Sequence, residues 1–190
     1  MASTLKVNTI QHTGGTSAVS IDSAGQVSFP NSHLHQQWQL TPDTFGSDAS
    51  TLTPFALSTI SSQTNAMVGP SMSHSSGIFT FPKTGLYKVT LDLAMLTSGA
   101  SQDNYANVRI ELSTNSGGAF TTLKEVITGG IQNLASGHSG HVFINVTNAS
   151  TFRVRFQTAS LSSGSTVRGN AANSNAYTTV SFERLTDAQS

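Results

Sequence analysis

In "NSHLHQQW" two histidines stand two residues apart, so in an extended segment His33 and His35 point to the same side of the chain. Imidazole nitrogen suits iron, nickel or zinc, which makes the pair a candidate part of a metal site; the plainer alternative is two solvated histidines in a linker. His138 and His141, in "ASGHSGHVF", fall in a glycine- and serine-rich segment that reads as a loop with no carboxylate close in sequence, and on that reading they are surface polar groups. His12 and His74 are isolated. Beyond the first forty residues the acidic residues Asp43, Asp48, Asp92, Asp103, Glu111, Glu125, Glu183 and Asp187 are scattered, and no two form a sequence-close pair suited to acid and base roles. There is no Gly-x-Ser-x-Gly elbow, phosphate-binding loop or EF-hand spacing. The chemistry expected of these residues is binding, and the chain is not expected to be an enzyme.

Composition narrows the partners. Of 190 residues only 9% are charged, nine basic against nine acidic, and the net charge is zero. Such a chain has no electrostatic footprint for nucleic acid or an anionic membrane. Its polar surface must come from Ser, Thr, Asn, Gln and Gly, which favour turns and exposed sheet faces, and so neutral a surface gives little protection against association. An oligomer or a part of a larger assembly is expected. The chain has no cysteine, so stability rests on packing. The start, "MASTLKVNTIQHTGG", has no apolar stretch of the kind a secretory signal carries, and no run approaches the roughly 18 apolar residues that span a bilayer. Synthesis in a cytosol without membrane insertion is the expectation.

The elements that must position these residues are strands. After Gly85, Tyr87, Val89, Leu91, Leu93 and Met95 fall on one parity and Lys88, Thr90 and Asp92 on the other, the pattern of a half-buried strand. "NVRIEL" alternates Val108, Ile110 and Leu112 against Asn107, Arg109 and Glu111, and "STNSGGAF" follows as a hairpin turn. "HVFINV" and "TFRVRF" alternate likewise around the turn "TNAS", and "AYTTVSFERL" supplies a last strand. No window carries a convincing 3.6-residue stripe, so the main domain is expected to be an all-β antiparallel sandwich over residues 40–190. Trp38 reads as a packing anchor, and the small-residue segments around Tyr105, "ITGGIQNLASGHSGH" and "LSSGSTVRGNAANSNAY" read as long polar loops that could bind a glycan or protein, pack on neighbouring subunits, or be idle surface. Residues 1–39 have a different texture. "AVSIDSAGQVSF" reads as a hairpin with Val19 and Ile21 facing Val27 and Phe29, and so small a unit needs a partner.

"GIFTFPKTGLYKV" resembles the signature of the C1q and tumour-necrosis-factor-like jelly rolls, through Gly77, Phe79, Phe81, Pro82, Gly85, Leu86 and Tyr87. "YTTVSFERL" is similar to that family's final strand, although the usual glycine is missing there and Glu183 stands in its neighbourhood; the family's Gly-Asp turn is replaced by Asn148 and Ala149. The resemblance implies a ten-strand, two-sheet jelly roll that packs as a homotrimer. Between Ser3 and Phe29, "STLKVNTIQ" and "GTSAVSIDSAGQVSF" are similar to the start of many tail-fibre and other structural proteins of marine bacteriophages. There the segment tends to be the virion-facing end, a role the resemblance carries to Leu5, Val7, Ile10, Val19, Ile21, Val27 and Phe29. It also implies an axial iron site, six imidazoles from the His33 and His35 of three chains.

Together these readings describe a virion protein made in the host cytoplasm. It would be a trimeric short tail fibre or fibre tip, with an N-terminal anchoring arm held by other virion proteins and a jelly roll displayed for host attachment. A capsid decoration or head fibre of the same build, a soluble lectin-like carbohydrate-binding module, and a glycan-degrading enzyme are the competing expectations.

Overall fold

The computed structural model describes residues 9–11, 17–21, 23–28, 33–58, 67–97, 103–130, 134–162, 164–170 and 176–189. Among them every regular element is a β-strand. A small antiparallel sheet opens the chain, with β1 (Thr9–Gln11), β2 (Ser17–Ile21) and β3 (Val27–Ser28) in that order. Ile10 lies opposite Val19 and Ile21 opposite Val27, so these four apolar residues share one face, as the hairpin pattern suggested. Leu5, Val7 and Phe29 lie outside the described residues.

The remaining strands form two sheets packed face to face. The front sheet contains β4 (Leu34–Leu40), β5 (Thr44–Phe45), β6 (Phe55–Leu57), β7 (Met67–Val68), β10 (Gly85–Thr97), β13 (Ala135–Val146), β15 (Ser165–Arg168) and β16 (Thr179–Thr186). The back sheet runs β12 (Thr121–Gly130), β11 (Asp103–Ser113), β14 (Arg153–Ala159), β9 (Ile78–Thr80) and β8 (Ser73–Ser75). All pairings are antiparallel. Consecutive strands cross repeatedly between the sheets, the connectivity of a jelly roll. The edges are broken into more and shorter pieces than the ten strands expected. β4 pairs along β16, so the sandwich begins at Leu34, ahead of residue 40.

β10 is the spine. Its alternation puts Tyr87, Val89, Leu91, Leu93 and Met95 in the core, as the spacing predicted. β13 pairs along one edge from Gly85 to Leu96, and β16 and β15 share the other. Ser76 and Gly77 both have positive φ and make the two-residue turn between β8 and β9, the geometry that brings Phe79 in. Gly85 is not in a turn. It is the first residue of β10, paired with Val146, and a Cβ there would stand 2.5 Å from Arg184 Nε and 2.8 Å from Thr186 O. Close approach explains this glycine.

Between the sheets the core is aromatic. The Phe79 ring lies 4.9 Å from Phe182, 5.1 Å from His74, 5.4 Å from Phe55, 5.6 Å from Trp38 and 6.0 Å from Phe156, mostly edge-on. Phe81 packs on Tyr87 at 4.8 Å, Leu86 is half-buried, and Pro82 ends the β9 ladder. Trp38 is an anchor, with Nε1 donating to Gln36 Oε1 at 3.3 Å.

Phe79→Ala removes this shared ring and should cost about 3–5 kcal/mol. By scanning calorimetry the midpoint should fall by roughly 10–15 °C; an unchanged midpoint would show that the ring is not what joins the sheets. Burial pushes the Tyr87 hydroxyl above the ordinary phenol value of 10.0, against the pull of the Arg184 guanidinium; the hydroxyl donates to Lys83 O at 2.9 Å. The folded chain therefore keeps this proton where the unfolded chain has begun to lose it. Its contribution is intact below pH 10 and is lost as pH climbs through the raised folded value. Urea midpoints taken between about pH 9 and 11 should fall less steeply in Tyr87→Phe than in the parent.

Candidate functional site

The two outer faces of the sandwich carry different chemistry. On β11 the inward parity (Ala106, Val108, Ile110) fills the core, and the outward parity brings Tyr105, Asn107, Arg109 and Glu111 to the outer face of the back sheet. The register sets Arg109 opposite Glu125 of β12 and Gln157 of β14, and Glu111 opposite Thr122 and Arg155. Charges then pair across strands. Arg109 Nε donates to Glu125 Oε1 at 2.9 Å, and the Tyr105 hydroxyl donates to Glu125 Oε2 at 3.0 Å. Arg155 Nε donates to Glu111 Oε2 at 2.7 Å and Thr122 Oγ1 to Glu111 Oε1 at 3.2 Å; Arg155 Nη2 also donates to Gln157 Oε1 at 2.9 Å. Arg155 lies 4.1 Å over the Phe120 ring, which helps to bury the pair. Glu111 is only 5% exposed, affordable because both its oxygens are satisfied. The arrangement offers balanced planar donors and acceptors, suited to recognition.

The front sheet's outer face is nearly neutral. One row runs Phe143, Lys88, Glu183, His35 and Val68, and the next runs His141, Thr90, Ser181 and Gln37. Asp92 accepts from Ser139 Oγ at 2.6 Å and from Thr179 Oγ1 at 3.4 Å. Phe143 is 58% exposed with His141 edge-on at 5.5 Å, the largest apolar side chain this sheet shows to solvent.

His33 and His35 are both exposed, at the start of β4, with Glu183 opposite His35. Among the described residues no group of three or more His, Cys, Asp or Glu side chains gathers within one chain to hold a metal. His35 is on β4 and His33 just precedes it. His138 and His141, expected in a loop, belong to β13, because β12 and β13 extend far into the segment that read as loop. Tyr105, also expected in a loop, is in β11. The Tyr105–Glu125–Arg109 cluster and the Glu111–Arg155 pair were missed. Their signal was the opposite charges on the polar parities of "NVRIEL" and "TFRVRF", which strand pairing could match.

No family model matches the chain, and no curated protein is detectably similar to it. Solved structures are. The Eiger TNF of S. frugiperda overlays at a TM-score of 0.60 with 12% identity, covering 84% of this chain and 96% of that one. Murine APRIL at pH 5.0 overlays at 0.56 with 10% identity, covering 80% and 99%. The globular domain of zebrafish complement 1qA is matched at 0.45 with 10% identity, covering 84% and 99%. The first two likenesses show the fold, an all-β jelly roll of the TNF kind.

The buried ion pair gives a direct test. Glu111→Gln leaves the Arg155 charge with a neutral partner, and should cost about 1.5–3 kcal/mol in urea unfolding. Arg155→Met/Glu111→Gln, which removes the pair, should recover part of that loss; a single variant as stable as the parent would show that the pair contributes nothing.

Proposed function

We propose that the chain is a bacteriophage virion structural protein: a homotrimeric short tail fibre or fibre tip whose N-terminal arm docks into the particle and whose jelly roll is displayed for host attachment. The observation that carries this reading is the union, in one chain, of two surfaces that call for different partners. The first is the small β1–β3 sheet. Ile10, Val19, Ile21 and Val27 share a face on which Ile10 and Val27 are exposed, more apolar surface than so small a sheet covers by itself. With Leu5, Val7 and Phe29 of the flanking sequence these residues are assigned to the particle contact, on the likeness of the segment to phage fibre proteins. The second is the front face of the TNF-like sandwich. It is close to neutral and shows Phe143 on its edge strand β13, which suits burial against sister copies.

Function on this reading is assembly and adhesion. A closed symmetric trimer presents each recognition surface three times, so weak contacts with a host glycan or protein add as avidity. Three copies would also bring His33 and His35 together as imidazole ligands for an iron-class ion.

An antibody to residues 40–186, applied to intact particles, tests the placement. Label confined to the tail tip is expected; label spread over the head would favour the capsid decoration or head fibre, and unlabelled particles would contradict a virion role. Deleting residues 1–29 should leave the sandwich melting within about 3 °C of the parent, because among the described residues the arm's strands pair only with one another, while incorporation into particles is lost.

A further inference from the structure

One side chain on the back sheet is left unsatisfied. Asn107 is fully buried, and neither its Nδ2 nor its Oδ1 has a hydrogen-bond partner. Native proteins rarely leave both ends of a buried amide bare, because each unpaired group forfeits its hydration. Its burial is also unexpected, since alternation puts it on the outer side of β11 with Arg109, away from Val108 and Ile110. The register explains this. Asn107 lies between Ile127 and Ala159, and Arg109, one outer position further along, lies opposite Glu125. Tyr105 is one outer position in the other direction, yet its hydroxyl donates to Glu125 Oε2 at 3.0 Å. That hydrogen bond draws the phenol along the outer face towards the Asn107–Ile127 row, and the Arg109–Glu125 pair, at 2.9 Å, fixes the carboxylate it reaches. This latch is at the surface, with Tyr105 47% exposed.

We propose that Tyr105 is the lid of a saccharide-binding site, in which a neutral sugar satisfies the Asn107 amide once the phenol swings aside. The ligand class follows from the groups. An amide with donor and acceptor side by side, a carboxylate and a guanidinium fork complement neighbouring ring hydroxyls, which both donate and accept. The phenol ring offers an apolar face to the C–H side of a pyranose. Arg109 and Glu125 cancel in charge, and the chain is neutral overall, which favours an uncharged sugar over a polyanion. Opening gives up one exposed hydrogen bond, and the sugar offsets that loss by pairing with the amide. The inference gives the displayed domain a ligand class; it rests on the attachment reading for the source of the sugar, while the site itself rests on the back sheet.

The test is saturation-transfer NMR and calorimetric titration of the full-length chain with the methyl glycosides of glucose, galactose and mannose and with N-acetylglucosamine. Saturable binding of at least one is expected, with Kd on the order of millimolar. Tyr105→Phe keeps the ring but removes the latching oxygen, and should tighten binding about 3- to 10-fold. Asn107→Leu should abolish binding while the melting midpoint holds or rises. No binding by either the parent or Tyr105→Phe would overturn the site, leaving Asn107 to a trapped water. Affinity unchanged in Tyr105→Phe would remove the lid, and this readout stands even where Asn107→Leu does not fold. Sugar binding by a protein that is missing from particles would leave the site standing and remove the attachment reading; particles that carry the protein while no sugar binds would do the converse.

Discussion

The closure of the two sheets turns on Phe79, a side chain carried by a strand of three residues. β9 makes a short ladder with β14 and another with β8, too little backbone pairing to hold a strand at the centre of a sandwich. Its ring does that instead. It reaches Trp38 on β4, Phe55 on β6 and Phe182 on β16 from the front sheet, with His74 on β8 and Phe156 on β14 from its own side. Edge-on packing of quadrupolar rings fixes orientation as well as distance. With that layer set, β10 takes its place as the spine of the front sheet, and β14 and β11 hold the register that pairs the charges behind.

The long strands could be read from sequence because their two faces meet different media. β10 alternates strictly, and Tyr87 to Met95 are buried as the parity required. The "GIFTFPKTGLYKV" phrase pointed to the right sandwich because each residue meets a local demand: the Ser76–Gly77 turn, the Phe79 and Phe81 rings, and the close approach of Arg184 and Thr186 at Gly85. The ends of β12 and β13 were not legible. Gly137 and Gly140 with Ser136 and Ser139 have loop composition, yet they lie in a ladder with β10, where a long apolar neighbour supplies the pairing that their own side chains do not signal. Gly140 also has a tertiary reason, since a Cβ there would run into Val126 Cγ2 at 2.6 Å. Tyr105 has the same loop-like surroundings, which hide its meeting with Glu125 and Arg109 although the alternation sets Asn107, Arg109 and Glu111 on one face. Which charges meet depends on register between strands far apart in sequence, and periodicity holds no register information.

Of the ion pairs among the described residues, Arg109–Glu125 and Glu111–Arg155 lie on the back face and Arg184–Asp187 at the end of β16, while the front face carries Lys88, Asp92 and Glu183 among neutral side chains. A face of paired guanidinium and carboxylate groups, with a phenol at its rim, keeps water-facing hydrogen-bonding capacity and resists burial against an apolar partner. A nearly neutral face with an exposed phenylalanine on its edge strand does the reverse.

The central claim is that front-face burial joins three chains. Native mass spectrometry of the purified full-length protein at low micromolar concentration tests it most directly. The account predicts one dominant species of three times the 19.9 kDa chain mass, and a shift towards single chains when Phe143→Lys replaces the exposed aromatic. A parent protein that flies only as a monomer of 19.9 kDa would contradict it.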